Sequence, residues 1–130
     1  MFGLRIVATC MALVALTACS SSHEDDVERV AEQFHAALEA EDGEAACDLL
    51  SEDAQQEMQQ SGDDCATAIL DAGLSTEGRV KRVHVYDTSG QVRYDDDTLF
   101  LGDFPEGWRV TAAGCEKQAG KPYECQVKGG

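Results

Sequence analysis

The chain has 130 residues, six of them Cys, and a formal net charge of −15 at pH 7. This length fits a single domain, and an ordinary share of apolar residues argues against disorder of the whole chain. The acidic excess excludes nucleic acid as a partner, because affinity for nucleic acid depends on neutralising phosphates. The charge is uneven: 17 acidic residues and one basic residue lie between Glu24 and Glu77, whereas residues 78–130 hold eight of each. We interpret the acidic half as solvated helix faces, with a docking face for a basic partner as the alternative.

Residues 1–18 have the features of an export signal. Arg5 provides a positive charge, and the run Ile6–Leu16 is apolar throughout except for Thr9. A membrane-spanning helix needs about 20 apolar residues, so this run is too short to span. We therefore predict a cleavable signal peptide and leave residues 1–18 out of the fold.

The end of this signal resembles the lipobox of bacterial lipoproteins, in the residues Leu16-Thr17-Ala18-Cys19. The resemblance implies that the Cys19 thiol receives a diacylglyceryl group, with acyl chains such as palmitate, and that cleavage occurs just before it. Two acyl chains give stable membrane anchoring. We predict a lipoprotein anchored on the extracytoplasmic face of the cell membrane, with residues 19–24 as a short tether. An ordinary secretory signal with a chance Cys is the alternative.

The remaining cysteines predict disulfides. Cys10 is lost with the signal, which leaves Cys47, Cys65, Cys115 and Cys125 in an oxidising compartment. Of the three pairings we favour Cys47–Cys65 and Cys115–Cys125, because each bridge then stays within its own half of the chain. The spacings contain no CxxC pair and no His at ligand spacing, so we predict no metal site and no cofactor.

The hydrophobic pattern changes along the chain from helical to alternating. A first helix is predicted from residue 25 to about 40, with Asp25 and Glu28 as a capping box. Three short helices are predicted at 44–50, 51–60 and 63–70, and strands at 80–86, 91–94, 98–103, 108–113 and 123–127. Helices followed by antiparallel strands indicate one α+β domain over residues 25–130, with the helices packed on one face of the sheet.

Few residues carry recognisable chemistry. His35, near Glu32 and Glu39, is interpreted as a surface histidine, with a general base near a pocket as the alternative. His84 lies between two valines and should point to the opposite sheet face. A candidate pocket contains His84, Trp108 and Phe100, although both aromatic residues fit the core as well.

Catalytic motifs are missing from the sequence. There is no GxSxG, no HExxH and no glycine-rich phosphate loop. The run Asp95–Asp97 lacks EF-hand spacing and is interpreted as a turn, with weak calcium binding as the alternative. We therefore expect a domain that is not an enzyme.

Several segments together resemble a group of small secreted lipoproteins from high-GC Gram-positive bacteria. They are residues 30–34, 45–50, 99–115 and 122–125. Helices followed by a sheet that ends in a Gly107-Trp108-Arg109-Val110 strand are similar to the nuclear transport factor 2-like cone fold. That resemblance implies a curled, cone-like sheet. Its relatives include ketosteroid isomerases and polyketide cyclases, but also non-catalytic binding domains, and none of the catalytic residues of those enzymes falls on a motif here.

The sequence thus favours a non-catalytic domain that binds a basic protein partner or a small apolar ligand. One alternative is a cone-fold enzyme, isomerase-like or cyclase-like, with His84, His35 or a carboxylate as base. The other is a structural lipoprotein of the envelope.

Overall fold

A computed structural model describes residues 21–129 of the chain. The predicted signal peptide and the predicted lipobox with Cys19 lie outside the described residues. Four helices precede five strands: α1 (Ser21–Glu39), α2 (Gly43–Asp48), α3 (Glu52–Gln59), α4 (Cys65–Asp71), β1 (Arg82–Tyr86), β2 (Ser89–Arg93), β3 (Thr98–Phe104), β4 (Gly107–Glu116) and β5 (Glu124–Lys128). Within residues 21–129, no helix is both long and apolar enough to cross a membrane.

Helix α1 supplies the longest apolar stripe. Val27, Ala31 and Phe34 are fully buried, at the three- and four-residue spacing that keeps side chains on one helix face. The helix already includes Ser21, so Asp25 lies inside it and the predicted capping box at Asp25 is wrong.

The three short helices begin at side-chain caps. Asp42, Ser51 and Asp64 each accept a hydrogen bond from the backbone N–H three residues further on. Each cap satisfies one of the N–H groups that a helix start leaves without a partner. This local chemistry explains why the boundaries predicted for these helices hold to within two residues.

Helices α2 and α4 are held together at close range. The predicted disulfide Cys47–Cys65 joins them, with the two Cα atoms 6.1 Å apart. Gly43 permits the approach, because a Cβ atom there would overlap the backbone carbonyl of Ala66. The disulfide and the glycine together fix the spacing of the two helices.

The sheet is antiparallel throughout, and its strand order is the chain order, β1-β2-β3-β4-β5. All five predicted strands are present, and the predicted α+β class is confirmed. The pairing of β3 with β4 shifts register between Phe100 and Leu101. Cys115 and Cys125 are direct partners across β4 and β5 and form the second predicted disulfide.

A short bridge connects the helical half to the sheet. Leu50 pairs in parallel with Val110 of β4. Ser51 N–H donates to the Val110 carbonyl at 2.8 Å, and Val110 N–H donates to the Leu49 carbonyl at 2.8 Å. The core lies between the helices and one sheet face. Its largest fully buried side chains are Phe34, Leu50, Ile69, Leu99, Val27, Val92, Val110 and Val127.

Candidate functional site

Three polar side chains are buried together between α1 and the β2–β3 connection. His35, Tyr94 and Asp97 are exposed to only 7%, 7% and 5%. The imidazole of His35 stacks on the ring of Tyr94 with centroids 4.0 Å apart and planes 27° from parallel. We call these three residues the buried cluster.

Local structure brings the cluster together. His35 follows the fully buried Phe34 on α1, and it lies four residues after Ala31 and three before Leu38, so the helix turns it inward. Tyr94 and Asp97 stand at the two ends of the turn between β2 and β3, closed by a hydrogen bond from Tyr94 N–H to the Asp97 carbonyl at 2.8 Å. The turn therefore places both side chains against one position of α1.

The cluster is only partly satisfied. Asp97 Oδ1 accepts a hydrogen bond from Cys115 N–H at 3.1 Å. Its Oδ2 faces His35 Nε2 at 3.6 Å, which is longer than a good hydrogen bond. His35 Nε2, Tyr94 Oη and Asp97 Oδ2 are buried without a hydrogen-bond partner among the described residues. Buried polar atoms usually have partners, so each of these three needs an explanation.

A groove of about 440 Å³ opens beside the buried cluster. Glu28, Glu32, His35 and Glu39 line it from α1, and Thr76, Arg79, Val80 and Tyr94 line it from the other side. The four α1 residues are spaced four, three and four apart, which places them on one stripe of the helix. We call this feature the acidic groove.

The charges of the groove act on Tyr94. Burial raises the pKa of the Tyr94 phenol far above its ordinary value of 10, and the carboxylates of Glu32, Glu28 and Asp97 raise it further. The phenol therefore remains protonated at physiological pH and can donate a hydrogen bond. Three glutamates outnumber the one arginine of the lining, Arg79, so the groove and its protonated phenol suit a ligand that is cationic and also accepts a hydrogen bond.

A second cavity, of about 350 Å³, lies between α3 and the β3–β4 turn. Its lining includes Glu52, Asp53, Glu106 and Arg109. Arg109 Nη1 already donates to the Asp48 carbonyl at 2.7 Å. All three unsatisfied buried atoms found among the described residues belong to the buried cluster, so the acidic groove is the stronger candidate site.

The structure does not bring the predicted pocket residues together. Trp108 is buried on the helix side of the sheet. Phe100 lies on the opposite face, where its ring meets Tyr123 edge to face at 5.2 Å. His84 lies on the same face as Phe100, beside Tyr86. Gln91 of β2 lies between His84 and Phe100 in the cross-strand row.

The interpretation of His35 as a surface residue is wrong, since it is buried against Tyr94. Its spacing from Ala31 and Leu38 was the signal for burial. Tyr94 was not predicted as a site residue, and Asp97 was considered only within the run Asp95–Asp97, as a turn or a weak calcium site. A strand end and an acidic turn give no sign of which helix residue they contact. Among residues 21–129, no group of three or more His, Cys, Asp or Glu is placed to hold a metal ion.

Comparison of the chain with protein-family models, with curated proteins and with solved structures found no match. The geometry of the site is therefore the basis for a functional assignment.

Proposed function

We propose that this protein is a lipid-anchored, extracytoplasmic binding domain that takes up a cationic group in the acidic groove. The single observation that carries the binding site is the buried cluster: three buried polar atoms without partners, two of them on residues that line a groove with three carboxylates. The lipobox residues Leu16-Thr17-Ala18-Cys19 support the anchoring.

The character of the lining selects among ligands. Glu28, Glu32 and Glu39 offer acceptors to an ammonium or guanidinium group, and the Tyr94 phenol offers a donor. A small apolar ligand would leave these polar groups desolvated without partners, which is costly. A basic side chain of a partner protein, or a small amine, is the better match.

We also propose that the sheet curls in the manner of a cone fold. The register shift between Phe100 and Leu101 supports this, because a bulge bends and twists its strand. The space between helices and sheet is filled by side chains such as Phe34, Val92 and Leu99. A ligand would therefore bind at the rim, where the acidic groove opens.

A second candidate is an enzyme with His35 as a general base. The observation in its favour is the carboxylate of Asp97 facing the His35 imidazole at 3.6 Å, inside a site that also holds a protonated phenol. A small molecule that co-purifies with the protein distinguishes the two functions when it is incubated with the wild type and with His35→Gln. Chemical conversion by the wild type alone would favour the enzyme, whereas return of the ligand unchanged favours binding.

The proposed binding site is tested by measuring how tightly a short fluorescent lysine peptide binds to the mature domain. Glu28→Gln and Glu32→Gln should each weaken binding about fivefold, since an exposed ion pair contributes up to about 1 kcal/mol. Glu57→Gln is the matched control, because Glu57 is an exposed acidic residue on α3 that lies outside the groove. Equal weakening by all three variants would indicate nonspecific attraction and contradict the groove as the site.

The anchor is tested by expressing the full chain in a bacterial host and measuring the mass of the membrane-bound product. We expect a chain beginning at Cys19 with a diacylglyceryl group attached. Cys19→Ala should abolish both the lipid and the cleavage. A chain that begins elsewhere without lipid would contradict the proposed anchoring.

A further inference from the structure

The face of the sheet that points away from the helices, called here the outer face, has a composition of its own. Side chains alternate along each strand, so the core valines of β1 leave Arg82, His84 and Tyr86 on the outer face. Cross-strand pairing adds Gln91 and Arg93 from β2. The outer face is thus basic and aromatic, unlike the helical layer.

Two arginines on the outer face oppose each other directly. Arg82 pairs with Arg93 across β1 and β2, and both are exposed. Neither forms an ion pair with another described residue. Like charges directly opposite on paired strands are destabilising, and a bound anionic surface would relieve their repulsion.

Further basic groups surround this pair. Lys128 lies in the same cross-strand row as Phe100, through Ala112. Tyr123 packs on Phe100 and belongs to the loop that also carries Lys117 and Lys121. Opposing charge comes from Glu116 and Glu124 at one end of β4 and β5. Asp95 and Asp96 add to it, because they line a cavity together with Arg93.

The opposite layer has the opposite charge. Residues 24–77, which form the helices, contain 17 acidic residues and one basic residue. The helices lie behind the sheet, so their charges stand farther from a surface in contact with the outer face than Arg82 and Arg93 do, and salt screens charges more strongly as their separation grows. At an anionic surface in contact with the outer face, the helical layer is therefore repelled less than it would be in direct contact.

The start of α1 shows where the predicted tether would join the domain. The His23 ring lies 6.5 Å from that of Trp108, at the beginning of β4. Val27 lies against Gly90, near the β1–β2 turn. The same end of the sheet carries Tyr86 at 73% exposure and Phe104 at 38%. Tyrosine side chains favour the interface between membrane and water, whereas Phe104 also lines the second cavity beside α3.

We propose that the outer face lies against the anionic phosphate headgroups of the membrane, so that the acidic groove faces away from it. The proposal rests on the lipid anchor at Cys19 proposed above. The tether holds the domain near the bilayer, and the charge difference between the two layers selects the orientation. The groove is then accessible to soluble cationic ligands.

The test measures orientation on vesicles with the lipidated full-length product. A fluorescent donor is attached at Gln126→Cys on the outer face or at Gln33→Cys on α1, both exposed positions, and the acceptor is on lipid headgroups. In vesicles containing phosphatidylglycerol, energy transfer should be stronger from position 126 than from position 33. The difference should shrink in vesicles of phosphatidylcholine alone.

A matched pair of single-charge variants makes the test specific. Arg82→Gln should shift the ratio of the two orientations about fivefold toward random, because one basic side chain near an anionic leaflet contributes roughly 1 kcal/mol. Arg29→Gln removes the same charge from α1 and should leave the ratio unchanged. Equal transfer from both positions, or an equal effect of both variants, would overturn the proposal.

The remaining outcomes distinguish a failure of the proposed orientation from a failure of the proposed lipid anchor. The mass of the same preparation shows whether Cys19 carries lipid, and its absence would overturn both proposals together. Lipid on Cys19 without a preferred orientation would overturn only the present one. A salt-sensitive dimer of the unlipidated chain that Arg82→Gln dissociates would assign the outer face to a second copy instead.

Discussion

His35 and Tyr94 stack face to face, with ring centroids 4.0 Å apart, although one belongs to the first helix and the other follows the second strand. The contact closes one side of the acidic groove. It also leaves the Tyr94 hydroxyl buried without a partner among the described residues. Several properties of the domain depend on this hydroxyl.

Removing the hydroxyl should not destabilise the domain. Tyr94→Phe keeps the ring stacked on His35 and removes a buried donor that has no acceptor, so the free energy of unfolding should stay the same or rise by up to about 1 kcal/mol. Urea denaturation measures the change, and Tyr86→Phe serves as an exposed control expected to show none. A loss of more than about 1 kcal/mol in Tyr94→Phe would show that the hydroxyl is bonded in solution.

Alkaline pH should weaken the wild type through the same residue. Burial raises the pKa of Tyr94 above its ordinary value of 10, so the unfolded chain releases the phenolic proton at a pH where the folded chain retains it. This contribution to stability is fully present below about pH 10 and is lost as the pH rises toward the folded pKa. Urea midpoints between pH 8 and 11 should therefore fall more steeply for wild type than for Tyr94→Phe. Parallel curves would contradict the prediction.

Acid should weaken the cap of α4. The hydrogen bond from Thr67 N–H lowers the pKa of Asp64 below its ordinary value of 3.8. A lowered pKa in the folded state stabilises the protein above pH 3.8, and this stabilisation is lost as the pH falls through the folded value. Asp64→Asn keeps a capping side chain that does not titrate, so its stability should change less between pH 5 and pH 2. Identical pH profiles would show that the cap contributes nothing to acid unfolding.

Gly90 should be sensitive to a single added methyl group. A Cβ atom at this position would lie 3.0 Å from both methyl carbons of Val27, so Gly90→Ala pushes α1 away from the sheet. We expect a loss of about 1–3 kcal/mol in the free energy of unfolding. Val27→Ala should also destabilise, by leaving a cavity. The double variant should lose less than the sum of the two, because the smaller side chain accommodates the methyl group. Strict additivity would mean that the two sites do not touch.

Removal of the two disulfides should lower the free energy of unfolding by different amounts. Cys47–Cys65 closes 18 residues and joins two separate helices, whereas Cys115–Cys125 closes 10 and joins strands that are already paired. Loop-closure entropy assigns roughly 3 kcal/mol to each. Replacing the helical pair by Ala should cost the larger amount, because both of its cysteines belong to the buried core, whereas Cys125 of the other pair is only half-buried. A larger loss of stability on removal of Cys115–Cys125 would show that β5 depends on its bridge.

The sequence predicted the helices and strands better than the contacts between them. The short helices predicted at 51–60 and 63–70 and the strand predicted at 98–103 depend on local signals, and their boundaries agree with the structure to within two residues. Asp25 and Glu28 also matched a local motif, yet both lie inside α1. A capping box is defined only by where the helix starts, and residues 21–24 also adopt helical geometry.

The buried cluster could not be predicted from the sequence, because its contacts join residues that are far apart along the chain. The period of α1 could have placed His35 inward, but not against Tyr94. That contact depends on the pairing of β2 with β3 and on the turn that ends at Asp97. The prediction of a pocket at His84, Trp108 and Phe100 was wrong for a similar reason. These residues were grouped by their side-chain type, but Trp108 lies on the helix side of the sheet and the other two lie on the opposite face.

The strand order of the sheet bears on how the chain reaches this structure. Each strand pairs with its neighbour in the chain, so hairpins can close early and at small entropic cost. The bridge between Leu50 and Val110 and the packing of α1 on the sheet are the long closures that remain. Docking of the helical half onto a preformed meander is thus the step expected to limit the folding rate, and a substitution that weakens this bridge should slow folding more than one at a hairpin turn.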